Sequence, residues 1–242
     1  MRKLLIGAVV ASVSLAVVAG AVAQEPESTF SAKATPSNAG TKRKPKNTAL
    51  NFKVTLNKPQ TTVEFIDLGL PRTLKLSGKG LKRCSVDTLA FEGPQACPKG
   101  SKAGPTGSAT ALLGSGPGAA PLNFDVTPFV LDSNTFVFYV ASETGTGVFV
   151  QSPITGEITS KGRKLRIRIP EELRKPDGVT DASLTGLDQT FNGKVGKKYV
   201  VSSTGCKARK HKITGKLTFT QRGDGAPVPP PVDLATSASC RK

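Results

Sequence analysis

The chain has 242 residues, with no tryptophan, two tyrosines, 25 glycines and 18 prolines. That composition excludes a helical bundle and suits a β protein with many turns. Lys and Arg number 34 against 17 Asp and Glu, a formal charge of +17, so attraction to anionic polymers or lipid head groups is expected. One histidine and four cysteines exclude metal centres built from several imidazoles.

The first segment is MRK followed by LLIGAVVASVSLAVVAGAVA and then QEPEST. A positive start, an apolar run and the small-residue site Ala21-Val22-Ala23 predict a secretory signal peptide over 1–23, cut before Gln24. The alternative is a retained anchor, since about 20 apolar residues can span a bilayer. The cleavage site and the polar flank favour the signal peptide. No later segment is apolar enough to span, so the mature protein is expected outside the cell or at its envelope. Loss of Arg2 and Lys3 would leave a charge of +15.

Residues 24–48 are polar, carry Lys42, Arg43, Lys44 and Lys46, and read as a flexible basic lead-in whose end can pair as a sheet edge. Period-2 patterns begin beyond it. LNFKVTLN (50–57) alternates Leu50, Phe52, Val54 and Leu56 with polar residues, the mark of a half-buried strand. TTVEFIDLGL (61–70), GSATALLG (107–114), LNFDVTPFVLD (122–132) and TFVFYVAS (135–142) follow. Phe136 to Val140 is apolar at every position, which predicts a central strand covered on both sides. GVFVQSPITGEIT (147–159) precedes KLRIRIP (164–170), where Leu165, Ile167 and Ile169 alternate with Lys164, Arg166 and Arg168. SLTGLDQTFNG (183–193), KKYVVSST (197–204) and KITGKLTFTQ (212–221) complete the set.

No βαβ rhythm is present. The expectation is an all-β fold over 49–242: one antiparallel Greek-key or jelly-roll-like β-sandwich of about nine to eleven strands. Two small sandwiches meeting near 114–121 are the alternative.

Cys84, Cys97, Cys206 and Cys240 lie too far apart for a C-x₂₋₄-C metal site or a C-x-x-C redox pair. In an exported protein they predict two disulfides. Three connectivities exist. Cys84–Cys97 with Cys206–Cys240 is favoured because each pair lies in its own part of the chain.

The line from Leu70-Pro71 through Gly80-Leu81, Cys84, Cys97-Pro98, Ser101, Gly104 and Gly107 resembles a group of secreted actinobacterial β-rich proteins of unknown function. Their outline is "GL..C", then "CP..S..G.G.A", then a later cysteine pair. Two departures stand out: the spacing Gly104-Pro105-Thr106-Gly107 is one residue longer, and KARKHK after Cys206 is unusually basic. The resemblance implies export, disulfides and a β fold, and brings no catalytic residue.

A histidine-based triad would need His211, which sits in Lys-Ala-Arg-Lys-His-Lys and reads as part of a solvated basic loop. Carboxylate pairs for glycoside hydrolysis would come from Glu64, Asp67, Asp125, Glu143, Glu157, Glu171, Glu172 or Asp188. No catalytic, cofactor-binding or metal-binding residue is expected. The candidate anion-binding residues are Arg166, Arg168, Lys207, Arg209, Lys210, His211 and Lys212. Basic grooves for single-stranded nucleic acid carry exposed aromatics, whereas these phenylalanines fall on apolar strand faces, so nucleic acid is disfavoured. The expected function is a secreted, non-enzymatic envelope-associated protein that binds anionic wall polymers or lipid head groups. The alternatives are an extracellular hydrolase with a carboxylate pair, and a structural or assembly subunit.

Overall fold

The computed structural model describes residues 28–57, 62–142, 151–225 and 227–241. The expected signal peptide lies outside them. The strands are β1 (Ser28–Thr35), β2 (Lys46–Asn47), β3 (Ala49–Leu56), β4 (Thr62–Gly69), β5 (Leu74–Leu76), β6 (Gly107–Leu113), β7 (Ala120–Val130) and β8 (Thr135–Ser142). They continue as β9 (Gln151–Thr159), β10 (Lys164–Arg168), β11 (Ala182–Phe191), β12 (Lys194–Val195), β13 (Lys198–Tyr199), β14 (Val201–Ser203), β15 (Lys210–Thr220) and β16 (Val232–Ser239). A one-turn helix, α1 (Glu171–Arg174), follows β10.

The expected all-β, antiparallel class is present. Eleven strands form one continuous sheet in the order β1-β3-β11-β6-β7-β8-β9-β10-β4-β15-β16. Every paired neighbour is antiparallel. In such a sheet an odd strand count leaves the first and last strands pointing the same way. The two do lie side by side. They are tied at one end by a parallel bridge between Asn38 and Arg241, where Arg241 N–H donates to Ser37 O (2.7 Å) and Ala39 N–H to Arg241 O (2.8 Å). The sheet thus curls into a nearly closed barrel whose seam has no regular ladder among the described residues. Residues 114–119 connect β6 to β7, which are neighbours in this sheet.

Alternation decides which side chains fill the interior. Leu50, Phe52, Val54 and Leu56 of β3 are all buried, as are Leu165 and Ile167 of β10. Phe191 stacks on Phe52 and Phe136, with centroids 6.0 and 5.4 Å away, and meets Phe138 edge-on at 6.2 Å. Burial of each such ring stabilises the fold by roughly 1.5–3 kcal/mol. β8 is covered on both faces as its sequence predicts. Phe136, Phe138 and Val140 face the core, while Val137 and Tyr139 lie under the Cys84–Cys97 loop with Leu89 and Phe129.

Three parts of the chain depart from the sequence reading. Ser28–Thr35, read as flexible lead-in, is β1 and pairs with the whole of β3. Its inward Phe30, Ala32 and Ala34 form a weak apolar stripe that the surrounding polarity hides. Val232–Ser239, not read as a strand, is β16, with only Leu234 and Ala238 buried. KKYVVSST is not a barrel strand. It splits into β13, which pairs with β12, and β14, which joins β2 and β5 in a three-stranded sheet. Buried Val200 and Val201 serve this second sheet.

All members of the three-stranded sheet, and both disulfides, belong to connections that leave the same end of the barrel. That end is closed. The disulfides are Cys84–Cys97 and Cys206–Cys240, with Cα atoms 5.3 and 5.7 Å apart, the pairing favoured from the sequence. The glycines of the motif serve this closure. Gly104 has no room for a Cβ because Thr190 O would meet it, and Gly80 adopts a left-handed φ of 78°.

Candidate functional site

The two ends of the barrel carry opposite chemistry. Connections leaving the closed end (36–48, 70–106, 131–134, 160–163, 192–209 and 240–241) hold nineteen Lys and Arg against three Asp and Glu. At the other end, residues 114–119, 169–181, 221–225 and 227–231 hold three Lys and Arg against five Asp and Glu. The net charge of the sequence is therefore concentrated at one pole.

At that pole a short turn projects beside the second disulfide. Ala208 and Arg209 both have left-handed φ values, 51° and 57°. Lys210 N–H donates to Lys207 O at 3.1 Å. This is a two-residue hairpin turn in a conformation usually given to Asn and Gly, and non-glycine residues there cost on the order of 1 kcal/mol each. The Cys206–Cys240 bond and a hydrogen bond from Cys240 N–H to Arg209 O (2.9 Å) hold it. Lys207, Arg209 and Lys210 are exposed, as are Lys212 and Arg241.

A second basic loop meets this turn. Ala39 packs on the Cys206–Cys240 disulfide. Lys46 pairs in register with Ser203. The backbone between them turns so tightly that a Cβ on Gly40 would lie 2.5 Å from Lys46 N and 2.6 Å from Ser203 O. Exposed Lys42, Arg43, Lys44 and Lys46 are thereby fixed beside the 207–210 turn.

Four of the seven candidate residues, Lys207, Arg209, Lys210 and Lys212, are thus brought together. The other three are elsewhere. Arg166 is on the barrel wall, donating through Nε and Nη2 to Asp67 Oδ1 and Oδ2, both at 2.8 Å. Lys164 lies 3.4 Å from the same carboxylate. Hydrogen bonding from Arg166, opposed by burial and aided by Lys164, holds the Asp67 carboxyl below its usual range. Register extends this pair into an outward row of alternating sign across five strands: Glu157, Arg166, Asp67, Lys216 and Asp233. Opposite charges on neighbouring strands support the pairing. Arg168 sits 3.9 Å from Glu64, and both arginines lie over the Phe65 ring, at 5.2 and 6.0 Å. These cations hold strands together.

His211 is not part of a solvated loop. It is 2 % exposed, because it falls on the inward side of β15 two residues before buried Ile213. Its Nδ1 is 2.9 Å from Thr73 Oγ1. Burial lowers its proton affinity, so it is a neutral core residue near neutral pH.

The candidate carboxylates fall in three places: Asp67 and Glu157 flank Arg166, Asp125 and Asp188 flank Ser108, and Glu171 and Glu172 adjoin in α1. Besides Asp67 and Glu64, Asp188 accepts from Asn51 Nδ2 at 2.7 Å and Glu171 lies 3.9 Å from Lys175. Glu143 is outside the described residues. Among the described residues no group of three or more His, Cys, Asp and Glu could hold a metal ion, and no helix is long and apolar enough to cross a membrane.

The opposite half of the barrel contains an apolar cavity of about 90 Å³. Phe52 and Phe138 form part of its wall, and the space exists where Ala109, Ala111 and Ala182 put small side chains inward. Gln189 also lines it. Its Nε2 donates to Pro105 O (3.2 Å) and Thr190 O (3.1 Å), which fixes Oε1 as an acceptor. That oxygen has no partner among the described residues and lies where a Cβ on Gly107 would come within 2.8 Å. Leu173 and Arg174 of α1 complete the lining. The cavity was not read from the sequence. The available signal was alanine at alternate inward positions of GSATALLG.

Compared with protein-family models, curated proteins and solved structures, the chain gives no match.

Proposed function

We propose that this chain is a secreted, non-enzymatic protein of the cell envelope that binds anionic polymers through its closed, basic end. The observation that carries the proposal is the segregation of charge. Nineteen cations against three acids stand at one end, and the residues of its most projecting turn are held by a disulfide rather than by salt bridges to acids. A rigid cationic surface loses little conformational freedom on binding, and it keeps its attraction at ionic strengths that screen scattered charges. Two disulfides accord with an oxidising compartment.

The test is co-sedimentation of residues 24–242 with purified anionic wall polymer across a salt series. One variant carries Lys207→Gln, Arg209→Gln, Lys210→Gln and Lys212→Gln. A control of equal charge carries Lys53→Gln, Arg168→Gln, Lys175→Gln and Lys216→Gln, none of them in a closed-end connection. The expected result is at least tenfold weaker binding for the first variant and near-normal binding for the control. Equal losses in both would reduce the effect to net charge and overturn the proposal.

A further inference from the structure

The cavity is the place in the molecule best suited to a small ligand. Its wall is apolar except for Gln189 and Arg174, and its location on the far side of the Phe52–Phe138 layer separates it from the basic end. Arg174 ends α1, and its Nε donates to Ile169 O at 3.1 Å, which sets the guanidinium at the rim. Among the described residues, the other two cations of this end have acidic partners: Lys175 lies 3.9 Å from Glu171 and Arg222 3.1 Å from Asp224. Arg174 has no such carboxylate among the described residues. Exposed apolar side chains also occur at this end of the barrel. Of the three large hydrophobic side chains that are exposed among the described residues, Val179 (79 %) and Val228 (47 %) belong to connections at this end.

An apolar chamber with one uncompensated guanidinium at its edge has the chemistry of a receptor for an amphiphile with an anionic head. We infer that the barrel binds a single-chain alkyl anion, its hydrocarbon end in the chamber and its carboxylate or phosphate on Arg174. Arginine suits either head, because its planar fork donates two parallel hydrogen bonds. A volume of about 90 Å³ is smaller than the roughly 150 Å³ of an apolar cavity that holds one benzene. The chamber therefore takes the last few carbons of a chain, and the remainder lies along the rim against Ile169 and Leu173. This site is independent of the basic end and of what that end binds.

The experiment is isothermal titration of the mature protein with butanoate, hexanoate, octanoate, octyl phosphate, octanol and octylamine, all below their micelle concentrations. Burial of each methylene is expected to tighten binding by about fourfold until the chamber is full. Octanoate or octyl phosphate should bind at least tenfold tighter than octanol, and octylamine least. The better of the two anions identifies the head group. Arg174→Gln should bring that anion down to the level of octanol while leaving octanol unchanged. Ala111→Phe should abolish binding of every chain. Ala109→Val, which fills less space, should weaken it, and thermal melting checks that each variant is folded. Affinity independent of chain length, or a preference for anions that survives Arg174→Gln, would overturn the inference.

Discussion

The two ends of this barrel are built from the same strands and solve different problems. At the closed end the connections are fastened in two ways. A three-stranded sheet lies across the opening, two disulfides staple the connections, and the Phe191 cluster fills the interior beneath. At the other end Ala109, Ala111 and Ala182 put small side chains inward, one turn of helix leans over the gap, and about 90 Å³ stays unfilled. Rigidity goes with charge: nineteen cations repel one another at the closed end, and only a stapled framework keeps them at fixed spacing. The unfilled end nearly balances its cations and acids among the described residues and needs no such framework.

The sharpest way to break the contrast is to undo the staples. In the chain-entropy picture, closures of 13 and 34 residues contribute about 3 and about 4 kcal/mol. Reduction is expected to lower the thermal midpoint by well over 10 °C, read by circular dichroism with and without reductant. Phe191→Ala, which empties the centre of the ring cluster, should cost about 3–5 kcal/mol in urea unfolding. A midpoint unmoved by reductant would mean that the closed end is held by its sheet alone.

Much of this architecture was legible in the sequence where hydrophobicity was strong. β3, β8 and β10 alternate or saturate clearly, and their buried faces follow from Leu50, Phe136 and Leu165. The disulfide pairing followed from locality along the chain. The seam was illegible because its strands carry little apolar weight: β1 buries fully only Ala34, and β16 only Leu234 and Ala238. Their pairing is a consequence of closing eleven strands, a tertiary fact with no local signal. The candidate site was half legible. Runs of Lys and Arg announce a basic region, but strand register decides which cations face carboxylates. Arg166 meets Asp67 across 99 residues of sequence, and period 2 turns His211 inward between two exposed lysines.

That division of the cations gives the next prediction. Asp67→Asn should cost about 1–2 kcal/mol at pH 7, a range reduced by the exposure of Arg166 to solvent. The carboxyl is held below its ordinary value in the fold, so its contribution is complete above about pH 4 and is lost as pH falls below that. Wild type and Asp67→Asn should therefore converge in stability under acid. Lys207→Gln at the closed end should change stability by less than about 0.5 kcal/mol. Equal costs for the two substitutions would erase the distinction between structural and binding cations.

His211 tests the closed end from inside. Its folded proton affinity is lowered by burial, so the unfolded chain binds a proton near pH 6.5 that the folded chain refuses. Stability should fall as pH drops through 6.5, with a slope no steeper than about 1.4 kcal/mol per pH unit, and be unaffected by this group above pH 7.5. Urea midpoints at pH 5.5 and 7.5 measure the loss, expected at about 1 kcal/mol, and His211→Gln should remove it. A wild-type curve flat across that window would place the imidazole in contact with water.

The most direct comparison of the two ends uses one substitution that can be made in both. Ala111 lines the cavity. Ala103 is fully buried at the closed end, with its backbone committed to Pro128, Asn192 and Gly193. Valine at position 111 adds methyl groups to open space, so lost side-chain entropy and gained contact should nearly cancel, within about 1 kcal/mol of wild type. Valine at position 103 has no space to enter and should cost about 1–3 kcal/mol. Urea unfolding of the pair reads the difference. Equal costs would mean that the cavity wall collapses inward in solution, and with it the chamber on which alkyl binding depends.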